Sequence, residues 1–341
     1  TGSDNVAIGA DALYSSTTSS NNTAVGKSAL ALNTTGANNT SVGRRAMEDN
    51  TTGASNTALG VNALESNTTA ANNVSIGLSS MATNTTGTTN VAVGTNALGS
   101  NTTADNNVAV GNASLYANTT GCRNVAMGAS ALDANTEGLY NTGVGYSSLG
   151  ANTTGDQNAA LGINSGTSIT DGIGNTVIGS DAGKNIVAGG GNTVLGSLKP
   201  DGVYSPPYDV TGSNNNRLVL GSTTVTNAYV KVDWTVTSDL RDKMNIEPIS
   251  HGLNFVNQLN PIKFNFKKDR DTEVAHGNKK YGFKAQDILA LEGEDNVIID
   301  NEDPNSLKYV GSHLVPVLVN AIKEQQTIIE DLKTRVETLE G

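Results

Sequence analysis

The stretch NNVAVGNASLYANTTGC, residues 106–122, is one unit of a repeat that fills the first two thirds of the chain. Its glycine recurs every 17 residues without an insertion, at positions 9, 26, 43, 60, 77, 94, 111, 128, 145, 162, 179 and 196. An asparagine stands four residues before each glycine, and Ile, Val, Leu or Met stands immediately before it. In the first nine units Leu or Met follows four residues after the glycine, from Leu13 to Leu149. This strict period predicts that each unit is one coil of a solenoid, stacked in register on the next.

The residue types within a unit predict short strands joined by turns. Segments such as VAVG place β-branched and aliphatic residues around a small one, which favours a strand. The NTTG segments at 33–36, 84–87, 118–121 and 152–155 supply turn residues, since Gly and Asn tolerate positive φ. Seventeen residues are too few for a repeat of two helices. The sequence therefore predicts a mainly β fold, with a β-solenoid over residues 1–196.

The repeat is poor in large apolar side chains, and this bears on how it is buried. Aromatic residues are 4% of the chain and charged residues 16%. Each unit offers two sizeable apolar positions, the residue before the glycine and the Leu or Met after it. A thin coil buries little with these, so we expect three chains side by side, with the Ala/Leu stripe between them, asparagine ladders inside or at corners, and threonines outside. The alternatives are a monomeric β-solenoid and disorder, and disorder does not need such strict spacing.

The segment NVAIG, residues 5–9, and its copies resemble the head repeats of trimeric autotransporter adhesins, which form left-handed trimeric β-rolls. Similar repeats occur in phage fibre shafts. The resemblance covers residues 1–196 and implies a homotrimer. The threonines that recur at fixed spacing could also suggest an ice-binding face, and the N-x-T sequons could suggest glycosylation. Both are weakly supported, because the repeated threonines lie beside glycine in turns.

Charge and composition argue against several classes of partner. The net charge is −11, whereas phosphate binding needs clustered Lys and Arg, so we expect no nucleic acid. No apolar run reaches the ~20 residues of a membrane span, so we expect no membrane insertion. Cys122 is the only cysteine, which precludes an intrachain disulfide. No signal peptide is recognised and the chain opens inside a repeat, so we interpret it as part of a longer protein.

The character of the chain changes at WTVTSDLRDKMN, residues 234–245. Before it, residues 197–237 are predicted to form a connector, in which the proline-containing SLKPDGVYSPPYDVTGSNNN is followed by the strands RLVLGS and NAYVKVDWTVT. After it, residues 238–341 have the composition of an ordinary globular domain.

The region from Ser238 onward is predicted to be a small α+β domain. A helix over about 249–259 precedes a strand that alternates Ile262, Phe264 and Phe266. YGFKAQDILALEG begins as a strand and becomes a helix, and NVIID is a strand. A long helix ends the chain, with a parallel coiled coil predicted over about 312–340. Its apolar residues follow heptad spacing: Val315, Leu318, Ile322, Ile329, Leu332, Val336 and Leu339. The alternative is a single amphipathic helix packed on its own domain.

The segments SDLRDK at 238–243, NPIKFNF at 260–266 and YGFKAQD at 281–287, with the helix that starts in YVGSHLVPVLVNAIKEQ, carry a second resemblance. They resemble the intramolecular chaperone of phage tailspikes and fibres, the peptidase S74 domain, over residues 238–341. The resemblance implies a domain that drives trimerisation of the preceding β-rich fibre. It also implies that the domain then releases itself by cutting between Thr237 and Ser238.

The residue types at this junction suit such a cleavage. Ser238 Oγ could attack the Thr237 carbonyl, and Lys243 is the base that we expect to take its proton. The lysine must be neutral to act, which burial or a neighbouring positive charge favours. Arg241 could supply that charge or fix the local geometry, and Asp239 would orient the backbone or pair with Arg241. We expect a single-turnover autoprotease without activity on external substrates.

Other chemistry finds little support in the sequence. His251, His276 and His313 lie in no recognisable triad, and no Cys/His spacing is typical of a metal site, so we expect no metal and no cofactor. The acidic segments EGED and DNEDP are interpreted as solvated loops rather than calcium sites.

These observations predict the C-terminal part of a trimeric phage tail fibre or appendage. Such a fibre would be assembled in the host cytoplasm and reside in the virion, where its shaft could contact a host glycan or protein. One alternative is a bacterial trimeric surface adhesin, at the cell surface, with the same chaperone. A second is a tailspike that degrades host polysaccharide. That activity would need paired carboxylates, whereas Asp49, Asp105 and Asp133 are scattered.

Overall fold

A computed structural model describes residues 2–225, 228–229, 231, 236, 238–267, 270, 272–293 and 296–341. The chain divides into two compact units, Thr1–Val225 and Thr226–Gly341. The first unit is the β-solenoid that the 17-residue period predicts. The second unit combines short helices and strands with one long helix. The predicted fold class is confirmed for the single chain in both units.

Each coil of the solenoid contributes one three-residue strand to a single parallel sheet, in which the strands follow chain order. From β1 to β12 each strand residue pairs with the residue one period later, so that Val91 lies opposite Val108. The strands are β1 (Val6–Ile8), β2 (Thr23–Val25), β3 (Thr40–Val42), β4 (Thr57–Leu59), β5 (Val74–Ile76), β6 (Val91–Val93), β7 (Val108–Val110), β8 (Val125–Met127), β9 (Thr142–Val144), β10 (Ala159–Leu161), β11 (Thr176–Ile178), β12 (Thr193–Leu195) and β13 (Leu218–Leu220).

Two asparagine ladders run through the interior and explain why asparagine recurs. In the first, the Asn39 backbone N–H donates to Asn22 Oδ1 at 2.9 Å, and Asn39 Nδ2 donates to the Gly53 carbonyl. In the second, Asn50 Nδ2 donates to Asn33 Oδ1 at 2.7 Å. Because a buried amide without partners is costly, the asparagines inside each ladder are stabilised by the coils above and below them. The prediction of interior asparagine ladders is confirmed.

The expectation that the Ala/Leu stripe lies between three chains is wrong. The Leu and Met side chains after the glycines are fully buried within one chain from Leu30 to Leu149, together with the small residues beside them. Successive side chains of a strand point to opposite faces of the sheet, so the central residue of each strand points inward and its two outer residues point outward. The residue before the glycine therefore faces outward, as at Leu59 and Met127, which are 47% and 46% exposed.

This division between inside and outside predicts unequal effects of two leucine truncations. Leu98 is fully buried, whereas Leu78 is 51% exposed. Leu98→Ala is expected to lower the free energy of unfolding by about 2–5 kcal/mol, because it leaves a cavity between stacked coils. Leu78→Ala, the matched control, should change it by less than about 0.5 kcal/mol. Urea unfolding followed by circular dichroism measures both, and equal effects would contradict the assignment.

The sheet continues past residue 196 into the segment predicted as a connector. The strand β13 falls within RLVLGS as predicted, and Thr193 of β12 pairs with Leu218 of β13, which inserts eight residues into this coil relative to the period. Tyr204 OH donates to Asp209 Oδ1 at 2.6 Å, and partial burial together with that carboxylate raises the pKa of Tyr204. The predicted strand NAYVKVDWTVT falls mostly outside the described residues.

The second unit has a small core of its own, formed by residues such as Phe255, Ile288, Ile298 and Leu314. Its elements are α1 (Leu253–Gln258), β14 (Ile262–Lys267), β15 (Ala275–Gly282), α2 (Ala285–Glu292), β16 (Ile299–Asp300), β17 (Lys308–Tyr309) and α3 (Gly311–Glu340). The strand pairs β14–β15 and β16–β17 are antiparallel. Of the helices in the described ranges, none combines the length and apolar character that a bilayer crossing requires.

Helix α3 is packed on its unit only at its start. Leu314, Val317 and Ala321 are buried, whereas every residue from 322 to 341 is exposed. The predicted heptad residues lie on the uncovered side of the helix, and each is at least 38% exposed. A single chain therefore leaves the heptad stripe open to solvent along most of the helix.

Candidate functional site

The residues of SDLRDK form a tight turn at the start of the described range 238–267. A single 3-10 turn spans Leu240–Asp242, and Asp239 caps it by accepting the Arg241 backbone N–H at 2.9 Å. The Lys243 N–H donates to the Leu240 carbonyl at 3.1 Å and closes the turn. Because the turn reverses the chain locally, residues 238 and 243 are brought to the same side.

The turn places the predicted nucleophile and base in direct contact. Lys243 Nζ lies 2.8 Å from Ser238 Oγ, within hydrogen-bond distance. This is the geometry that a serine–lysine pair needs, because a base must reach the proton that it removes. Both side chains are exposed to solvent in the single chain. A lysine acts as a base only where its surroundings disfavour the ammonium form.

Asp239 and Arg241 are paired with each other. Arg241 Nη2 donates to Asp239 Oδ2 at 2.6 Å, and Arg241 Nε donates to Asp239 Oδ1 at 3.1 Å. The hydrogen bond from the Arg241 side chain, followed by that from its backbone N–H, lowers the pKa of Asp239. The same side-chain bond raises the pKa of Arg241. Asp239 thus both orients the backbone and pairs with Arg241, and the geometry favours a positioning role for Arg241 over an unopposed charge beside Lys243.

Thr237, on the other side of the predicted cleavage site, lies outside the described residues. The described part of the site therefore consists of Ser238, Lys243 and the turn that joins them.

A comparison against protein families finds a match that covers the same turn. Residues 238–298 match the family model Peptidase_S74, the chaperone of endosialidase. The S74 match begins at Ser238 itself and ends at Ile298, before β16 and α3. A search of curated proteins and a search of solved structures each gave no match to the chain. The S74 match supports an intramolecular chaperone that follows a fibre-like solenoid.

One of the two acidic segments, EGED, departs at its first residue from the prediction of a solvated loop, whereas DNEDP is largely exposed as predicted. Glu292, the first residue of EGED, is 4% exposed rather than solvated. Its carboxylate accepts the backbone N–H groups of Val297, Ile298 and Ile299 at 2.5–3.1 Å, which fixes the chain between α2 and β16. No obvious sequence signal identifies this role, because a glutamate at the end of a helix is ordinarily solvated. Asp300 and Asp303 of DNEDP accept backbone N–H groups of their own turns.

Two of the three histidines contact residues other than Ser238 and Lys243. The His251 ring stacks on Phe255 at 4.4 Å between centroids, and His313 Nδ1 lies 2.5 Å from the Val297 carbonyl oxygen. Within the described residues no three His, Cys, Asp or Glu side chains come together as a metal site.

The carboxylates considered for polysaccharide hydrolysis belong to different coils. Asp105 accepts hydrogen bonds from the Thr88 backbone and hydroxyl at 2.5 and 2.9 Å. Partial burial raises the pKa of Asp133. Asp49 lies in a third coil, where its backbone N–H donates to the Glu65 carbonyl.

Proposed function

We propose that this chain is the C-terminal part of a trimeric phage tail fibre or appendage that carries a self-cleaving intramolecular chaperone. The observation that carries the proposal is the 2.8 Å contact between Lys243 Nζ and Ser238 Oγ, at the first residue of the S74 match. In this proposal residues 1–196 form the shaft, 197–237 connect it to the cleavage site, and 238–341 are the chaperone. The released shaft would remain in the virion and contact the host surface.

The chemistry of cleavage uses only the residues of the turn and water. Lys243, once neutral, takes the Oγ proton of Ser238, and Oγ attacks the carbonyl carbon of Thr237. The Ser238 nitrogen then takes a proton from the Lys243 ammonium as the C–N bond breaks, which leaves an ester on Oγ. Water hydrolyses that ester, restores the Ser238 hydroxyl and releases Thr237 as a carboxylate. Ser238 becomes the new N-terminus of the chaperone.

The exposed stripe of α3 supplies the surface for trimerisation. Ile322, Ile329 and Leu332 are 63%, 48% and 49% exposed and follow heptad spacing. Apolar residues at this spacing are buried when parallel helices supercoil around one another. Three copies of α3 would cover the stripe that one copy leaves open.

The outward face of the sheet gives the shafts a surface on which to pack. Its two columns are the first and third residues of each strand, such as Val91 and Val93, and in the central strands β5 to β8 both columns are apolar. These residues are only partly covered within one chain. Packing of three shafts on this face replaces the earlier expectation that the Ala/Leu stripe is shared between chains.

A solenoid of near-identical coils explains why a chaperone is useful. If one shaft shifts by 17 residues against another, Val91 takes the place of Val108 and the contact changes little. A C-terminal trimer would fix the stagger and raise the effective concentration of the chains. Its removal would make unfolding kinetically difficult to reverse, because the guide for refolding is gone.

Mass spectrometry of the purified protein tests the proposal directly. Fragments 1–237 and 238–341 are expected in place of the whole chain. A whole chain in a folded trimer would contradict self-cleavage and leave residues 238–341 as a permanent trimer clamp.

The role of α3 predicts a change in oligomeric state. The double variant Ile322→Ser/Ile329→Ser is expected to move the sedimentation mass from three chains toward one, since it removes two layers of the apolar seam. The control Lys323→Ser/Glu330→Ser changes the adjacent helix positions and should stay trimeric. If both variants keep the mass of the wild type, the stripe of α3 does not hold the chains together.

A further inference from the structure

The apolar stripe of α3 is interrupted once, at Gln325. The interval from Ile322 to Gln325 is three residues and that from Gln325 to Ile329 is four, so Gln325 occupies a position of the stripe itself. In the heptad notation abcdefg, Ile322 and Ile329 are a residues and Gln325 is a d residue. A polar side chain weakens an apolar seam, so its place there needs a reason other than stability.

The side-chain amide of Gln325 differs from the polar side chains beside it. Gln326 Nε2 donates to Glu330 Oε1 at 2.6 Å, and Thr327 Oγ1 donates to the Lys323 carbonyl at 3.1 Å. Among the residues that the structure describes, none is hydrogen-bonded to the Gln325 side chain, which is exposed. Gln325 therefore offers both a donor and an acceptor to another copy of the helix.

The a residues of α3 decide which direction of helix pairing suits Gln325. All four are apolar: Val315, Ile322, Ile329 and Val336. In an antiparallel pair the a residues of one helix face the d residues of the other, so Gln325 would face one of these apolar side chains. In a parallel pair d residues face d residues, and the Gln325 amides meet. The parallel arrangement is therefore the one that gives the amide a partner.

The same residue distinguishes level helices from helices that are shifted by a heptad. A shift of seven residues places Gln325 against Leu318 or Leu332 of the neighbouring helix. A buried amide that loses its partner changes an equilibrium by about 5- to 150-fold, so the shifted alignment is disfavoured by a factor of this order. When the helices are level, each amide can donate to one neighbour and accept from the other.

The charged residues that flank the stripe favour the same alignment. In parallel helices a g residue lies beside the e residue five positions later in the neighbouring helix. Arg335 at g lies beside Glu340 at e when the helices are level, whereas a shift of seven residues in one direction places it beside Lys333. Within its own chain Arg335 Nη1 is 3.8 Å from Asp331 Oδ2, and both side chains are mostly exposed. The guanidinium has further donors with which to bond a neighbouring carboxylate.

We propose that Gln325 determines the direction and register in which the α3 helices of the proposed trimer associate. The helices run parallel and level, and the three Gln325 amides bond one another around the common axis. A shift of one heptad would displace a helix by about 10 Å along that axis. The inference rests on the proposed trimer and names the residue that aligns its chains.

Disulfide trapping between chains measures the register. The full chain carries Cys122→Ser to remove the natural thiol and Ser238→Ala to keep α3 attached. Ile329→Cys is placed in one version of this chain and Val336→Cys in a second version of different mass, and the two are co-expressed, purified and oxidised. Two cysteines form a disulfide only when their Cα atoms lie within about 7 Å, so level helices join like with like. A mixed disulfide, between site 329 of one chain and site 336 of another, requires a shift of one heptad.

The amide of Gln325 is then varied in both chains. Gln325→Leu completes the apolar stripe and is expected to raise the proportion of mixed disulfide about fivefold or more. Gln325→Asn keeps an amide and should retain the low proportion found with glutamine. Thr327→Leu, which adds the same apolar side chain at an exposed position outside the stripe, is the matched control and should leave the proportion unchanged.

The outcomes separate this inference from the proposed function. In a complex with the mass of three chains, an unchanged proportion in Gln325→Leu would show that Gln325 does not set the register. A mixed disulfide as abundant as the others with Gln325 present would show the same. Absence of like-with-like disulfides in that complex would rule out parallel, level helices. A sedimentation mass of one or two chains would instead contradict the proposed trimer, on which the inference rests.

Discussion

Ser238→Ala is expected to leave the purified protein as one chain of 341 residues, whereas the wild type gives fragments 1–237 and 238–341. The substitution removes the Oγ atom that lies 2.8 Å from Lys243 Nζ and that would attack the Thr237 carbonyl. No other atom of the turn can replace it, so the expected loss of cleavage is complete. Intact-mass measurement gives the result, with N-terminal sequencing of the smaller fragment. The control is Ser250→Ala, which changes another exposed serine of the second unit and should cleave as the wild type does.

Two substitutions at Lys243 distinguish its role as a general base from a role as a positive charge. Lys243→Met keeps a side chain of similar length without the amine, and cleavage should slow by about 100-fold or more, the usual contribution of a general base. Lys243→Arg keeps the positive charge but cannot release its proton, and it should be as slow. If the arginine variant cleaves at the rate of the wild type, Lys243 supplies charge and the assignment as base is wrong.

Gly94→Ala is expected to destabilise the shaft strongly. Gly94 has a φ of 139°, and a Cβ there would lie 2.4 Å from the Gly111 carbonyl oxygen of the next coil. The strained backbone and the clash with a backbone atom should together lower the free energy of unfolding by about 3 kcal/mol or more. Because coils contact mainly their neighbours, the damage should divide the solenoid into blocks that unfold separately.

Gly174→Ala is the matched control for this prediction. Gly174 also has a positive φ, of 69°, but a Cβ at this position meets no atom within 4 Å. The control therefore carries only the left-handed backbone penalty, of about 1–2 kcal/mol. Guanidinium unfolding followed by circular dichroism compares the two variants. Equal destabilisation would show that close stacking of the glycines is not what fixes glycine at the end of each strand.

The sequence predicted the solenoid because the constraints of one coil recur in every coil. Glycine is required where two backbones approach closely, asparagine where an interior amide can bond the coils on both sides, and a β-branched residue where the strand forms. A strict interval between such positions leaves stacked coils as the simplest fold. The pairing of Ser238 with Lys243 was also predictable. Both residues belong to the SDLRDK motif, and the turn that brings them together consists of the residues between them.

The tertiary structure was needed for two kinds of feature. One depends on contacts between residues that are distant along the chain, and the other on the side of the backbone to which a side chain points. Leu98 and the residue before each glycine are both apolar, so composition could not say that the leucine faces inward while Val93 faces outward. The burial of Glu292 depends on three N–H groups that later residues present to it. The exposure of residues 238–250 and of the α3 stripe is likewise a property of what the folded unit leaves uncovered. Local periodicity fixes the path of a coil, but only packing determines which apolar side chains one chain can bury and which remain for another copy to cover.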